Sequence, residues 1–170
     1  MIDYLRSFFT QLPSPVTITG IRFPADGSKP HTLPLTTTTY GVKDGPDCFW
    51  RHIPDFRDFW KTPQAWRWRD YEIFTLKNQP LSSCNGLYVI FYSFDPELPT
   101  HSNFPEAIGR YRTYDGDTFV VKLQGNELCE DFGEDGRAIW VDVPSGILSL
   151  PVMKIRESTT RTLSPYYNIL

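Results

Sequence analysis

The sequence predicts an α+β domain: one mixed or antiparallel sheet of about five strands, with short helices on one face. Three observations carry this. Runs rich in β-branched and aromatic residues recur along the chain. Between and around them lie short stretches with apolar residues at helical spacing. Finally, 15 prolines cut those stretches short, because proline removes a helical hydrogen bond and clashes with the preceding turn. No βαβ period and no internal repeat appears. A chain of 170 residues is a natural single domain, 1–170, and long enough to bury a core without covalent staples.

The elements follow in order. Ile2, Leu5, Phe8, Phe9 and Leu12 sit at helical spacing, and Pro13 ends that run, so residues 2–12 read as a short packing helix. Val16–Phe23 alternates and is β-branched; Pro24-Ala-Asp-Gly-Ser28 has turn chemistry; His31–Tyr40 resumes with a threonine run that suits a pleated surface. The pair reads as a hairpin, with Pro34 marking an edge or bulged strand. Lys43–Asp47 reads as a loop. A short helical segment is expected, opened by Pro54 and Asp55 and running through Trp60, and broken at Thr62-Pro63. Residues Gln64–Leu76 fit both periods, and the first half leans to helix. Leu87–Phe94 is the clearest strand: nearly continuous apolarity implies burial on both faces. Asn103 caps an expected short helix, Phe104–Gly109. Thr118–Leu123 and Ala138–Val143 complete the strands, joined by an acidic loop, Gly125–Gly136. Ile147–Arg156 has helical spacing with Pro151 in its first turn. The last residues, 158–170, are apolar enough to be expected to dock.

Composition narrows the class. A hydrophobic fraction of 40% and a charged fraction of 22% are ordinary for globular domains. The net charge of −3 disfavours a general nucleic-acid binder, which needs a basic footprint. Seven acids and one base between Asp115 and Asp135 read as a solvated, acidic stretch. Three cysteines without a C-x-x-C spacing make neither a disulfide framework nor a zinc cluster. No signal-like start and no apolar run of about 20 residues occur. The expectation is a cytoplasmic protein with no membrane contact.

The most distinctive stretch is Phe49–Phe74, FWRHIPDFRDFWKTPQAWRWRDYEIF, which holds four of the five tryptophans. Each buried indole needs a partner for its N–H. So many rings exceed what a small core readily encloses, and an exposed aromatic ledge is expected. Arginine interleaved with tryptophan is the composition of interface cores. Trp50, Trp60, Trp66, Arg67, Trp68 and Arg69 are therefore the candidate ligand-binding residues, for a protein, a glycan or a flat small molecule.

Catalytic signatures are thin. There is no P-loop, G-x-G-x-x-G, H-E-x-x-H or G-x-S-x-G motif. Asp131-Phe132-Gly133 matches the kinase triplet by chance, since the chain is too short and its companion motifs are missing. The run Asp131–Asp142 has EF-hand length but the wrong residues at its third and last positions. Asp95, Glu97 and His101, after the strongest strand, with Asp115 and Asp117, form an alternative acid/base group, in which a carboxylate would orient an imidazole. Cys48 and His52 would approach each other only on a helix. No cofactor and no metal centre is implied. The sequence thus points first to a non-catalytic binding or interaction protein. The alternatives are a small enzyme using carboxylates and a histidine, with a divalent cation assisting, and a homo-oligomer pairing through the aromatic ledge.

Overall fold

A computed structural model describes residues 15–44, 47–62, 64–65, 69–111, 113–124 and 140–155, with the backbone alone for 39–44 and 47–52. Among the described residues eight strands form one sheet: β1 (Thr17–Phe23), β2 (His31–Asp44), β3 (Asp47–Pro54), β4 (Arg69–Leu76), β5 (Gly86–Ser93), β6 (Thr100–His101), β7 (Tyr114–Leu123) and β8 (Trp140–Val141). The order is β3-β2-β1-β7-β5-β4, and every pairing among the described residues is antiparallel. Strand β7 is the axis. One edge pairs with β5; the other is shared by β6 at Tyr114–Asp115, β1 at Thr118–Val120 and β8 at Lys122–Leu123.

The α+β expectation is overturned: this is an all-β sheet. Among the described residues only Gln64 and Ala65 are α-helical, and the remaining helical segments are single 3₁₀ turns at Ser82–Cys84, Ile147–Ser149 and Pro151–Met153. Proline explains much of the difference. Pro151 holds Leu150 in an extended conformation (φ −65°, ψ 138°), so the helix expected over 147–156 becomes two turns. The helix expected at 104–109 is one turn, closed by Ile108 and Gly109 N–H groups on the Pro105 carbonyl. The segment 55–60 is likewise one turn, closed on the Phe56 carbonyl. Of the helix expected in the first half of residues 64–76, Gln64 and Ala65 are helical, residues 66–68 lie outside the described residues, and a full strand runs from Arg69. Cross-strand partners on β5 settle a pattern that its own periodicity left open. Of Lys43–Asp47, read as a loop, Lys43 and Asp44 lie in β2 and Asp47 in β3, whose register runs to Asp44↔Asp47. The sheet also exceeds the five strands expected, because β3, β4 and β6 were not foreseen. The segments 2–12, 125–136 and 158–170 lie outside the described residues.

Both faces of the sheet are covered, as the apolarity of β5 predicts: all eight of its residues are buried. Alternation sends Tyr88, Ile90 and Tyr92 to one face with Ile21, Phe23 and Val120, under the loop and turns that carry Phe104, Val143, Ile147 and Met153. Leu87, Val89 and Phe91 go to the other with Ile18, Leu35, Phe119 and Val121, under Phe56, Trp60 and Ala65. Each large apolar side chain enclosed this way contributes roughly 1.5–3 kcal/mol. Cys84, buried on the first face, is a free thiol acting as core filler. No helix among the described residues is long and apolar enough to cross a membrane.

Candidate binding face

The tryptophans come first. Trp60 is 1% exposed. Its ring packs against Phe56 (5.1 Å) and Phe119 (5.9 Å), and its Nε1–H donates to the Asp117 carbonyl at 2.8 Å. Trp140 is also inside, 5.8 Å from Phe91. Both indoles with described side chains therefore belong to the core, and Trp60 faces no solvent. Trp50 lies on β3, where the backbone alone is described; Trp66, Arg67 and Trp68 lie outside the described residues. Arg69 opens β4 and is half-buried.

The sheet brings the expected acid/base residues to one end, where β5 finishes and β6 and β7 begin, but gives the three aspartates partners of their own. Asp95, 2% exposed, accepts the Thr62 hydroxyl and the Glu97 N–H. The Asp115 carboxylate accepts Thr100 Oγ1–H at 2.6 Å. Asp117 accepts Arg22 Nε–H at 2.7 Å and the Ala25 N–H at 2.8 Å, with Arg22 Nη2 at 2.6 Å. Arg22 in turn lies over the Phe59 ring, 5.1 Å from its centroid, on the Phe119 side of the sheet. His101, 6% exposed, has Nε2 3.4 Å from Thr118 Oγ1, and its Nδ1 is buried without a partner. Burial pushes the His101 imidazole below its usual range, against the pull of the Gly116 backbone and of Asp117 and Asp115. Among the described residues no three His, Cys, Asp or Glu side chains are placed to hold a metal ion. Cys48 and His52 fall on β3, where residues four apart are separated by about 13 Å.

Exposed rings occur elsewhere. The β4–β5 register sets Asp70 opposite Tyr92 and Glu72 opposite Ile90, so cross-strand neighbours place both carboxylates on the Tyr92 face. Phe94 follows β5 and meets Tyr92 edge-on at 5.1 Å. Tyr111 packs 6.0 Å from Phe94 and 5.6 Å from Tyr92; Tyr114 lies 5.2 Å from Tyr92 and 5.9 Å from Tyr111. Tyr92 and Tyr114 are buried, whereas Phe94 and Tyr111 are 42% and 40% exposed. The approach depends on Gly109: a Cβ there would lie 2.6 Å from the Tyr114 hydroxyl, too close to fit unless a neighbour moved.

Beside these rings, Glu72 Oε2 accepts the Arg110 N–H at 3.1 Å, while Oε1 is buried with no partner. Burial holds the Glu72 carboxyl above the usual range and the Asp70 charge adds to this; the Arg110 N–H, the more distant Arg110 charge and the nearby Tyr114 hydroxyl oppose it. Burial also raises both tyrosines, Tyr114 to about 12. The sequence hides this group because Tyr92-Ser-Phe94, Tyr111 and Tyr114 are ordinary strand-end aromatics until three chain segments meet. The only local hint is Glu72, an acid amid the apolar residues of a strand.

Comparison with protein-family models, with curated proteins and with solved structures gave no match.

Proposed function

We propose that this protein is a non-catalytic binding module, and that its recognition face is the ring group topped by Phe94 and Tyr111. One observation carries the reading: two large rings at the end of the β4–β5 edge stand about two-fifths exposed while resting on buried tyrosines. Rings held in place from below offer contact area at little entropic cost, which is the usual character of an interface anchor. A protein segment is the ligand class that best suits such a face. Against the enzyme alternative, three of its carboxylates, Asp95, Asp115 and Asp117, already accept other donors.

The test is a selection of random displayed peptides on the wild-type protein, followed by titration against the Phe94→Ala/Tyr111→Ala double variant. The selected peptides are expected to lose at least about tenfold in affinity, with the unfolding midpoint little changed because both rings are already partly exposed. Peptides that bind the double variant as tightly as the wild type would overturn the reading.

A further inference from the structure

We infer that the group taken by this face is an organic cation, the guanidinium or ammonium of an Arg or Lys side chain on a basic partner segment. The inference rests on the proposed binding face and names its ligand chemistry.

Charge complementarity argues for it. Aromatic faces carry negative quadrupole potential and attract cations. Asp70 and Glu72 lie two residues apart on β4, facing the Tyr92 side, so two carboxylates flank the rings. Neither is neutralised by an ion pair: among the described residues the only salt bridges are Arg22–Asp117 and Arg57–Asp55. Arg110 lends its backbone N–H to Glu72, and its guanidinium acts only from beyond salt-bridge distance. A carboxylate with one oxygen buried and unpartnered is costly to the free protein. A cation seated on the rings above it would offset that cost. An anionic ligand would add to the repulsion between Asp70 and Glu72, and a neutral one would leave the buried oxygen as it stands.

The probes are an arginine-rich hexapeptide and its citrulline counterpart, which keeps the shape of each side chain and removes its charge. Binding is read from the ring resonances of Phe94 and Tyr111. The arginine peptide is expected to shift those resonances, to bind about tenfold or more tightly than the citrulline peptide, and to weaken as salt is added. The Asp70→Asn/Glu72→Gln double variant should remove most of that preference and bring the two peptides close to equal affinity. Equal binding of the two peptides would overturn the cation while leaving the ring face in place. If neither peptide moves the rings the inference also falls, and the displayed-peptide selection decides separately whether the face binds anything.

Discussion

Asp117 and Glu72 are both sheet carboxylates cut off from much of the solvent, and the fold treats them oppositely. Asp117, at the β1–β7 junction, has donors on both oxygens: Arg22 on one and the Ala25 N–H on the other. Its backbone carbonyl also takes the Trp60 indole N–H. Glu72, on the edge strand β4, has a donor on one oxygen and no formed hydrogen bond on the other, with the Tyr114 hydroxyl nearby. The first arrangement ties a loop and a second strand to β7 and is structural. The second leaves a charged group underserved beside half-exposed rings, and a domain has no reason of stability to keep it. The contrast is the reason for proposing the β4–β5 edge as the recognition face.

The comparison breaks most severely at the Asp117 junction. Trp60→Ala should cost about 3–5 kcal/mol, as for other large buried aromatics, read as a drop in denaturant midpoint. That result would confirm the indole as core, and a cost below about 1 kcal/mol would return it to the surface.

A smaller effect is expected at His101. Its folded pKa is depressed by burial, so the unfolded chain binds the proton more readily. The contribution to stability is present above the unfolded value, about 6.5, and is lost as pH falls from there through the folded value. His101→Gln should flatten that acid-side slope in midpoint against pH. An unchanged slope would mean that other groups cause it.

The strands that carry their own pattern were legible in the sequence: the alternation of β1 and the unbroken apolarity of β5 identify them directly. The hairpin partner β2, the second half of β7 and β8 were legible too, whereas β3, β4 and β6 were not. Tyr71, Ile73 and Phe74 of β4 fit two periods, and only pairing with β5 decides between them. Residues Tyr114–Asp117 extend β7 through polar positions and past Gly116, whose φ of 70° and close approach to Leu98 admit no side chain without strain. Such an irregular stretch carries no strand signal. Of the aromatic stretch Phe49–Phe74, Trp60 lies inside, where the Asp117 carbonyl satisfies its N–H, and the Trp50, Trp66 and Trp68 side chains lie outside the described residues. The candidate face was invisible because its rings come from β5, β7 and the loop between them, and its carboxylates from β4.

The central claim is that Glu72 is kept at a cost to the free fold, whereas Asp117 supports it. The direct test is the unfolding midpoint of Glu72→Gln beside that of Asp117→Asn at neutral pH. Because burial raises the folded pKa of Glu72, stability is fully present below the unfolded value, about 4.3, and falls as pH rises through the folded one. An uncharged glutamine avoids that fall. Glu72→Gln should therefore raise the midpoint at neutral pH and lose its advantage near pH 4, while Asp117→Asn should lower the midpoint by turning an amide toward Arg22. If both variants lower the midpoint at neutral pH, Glu72 is a structural carboxylate like Asp117 and the account is wrong.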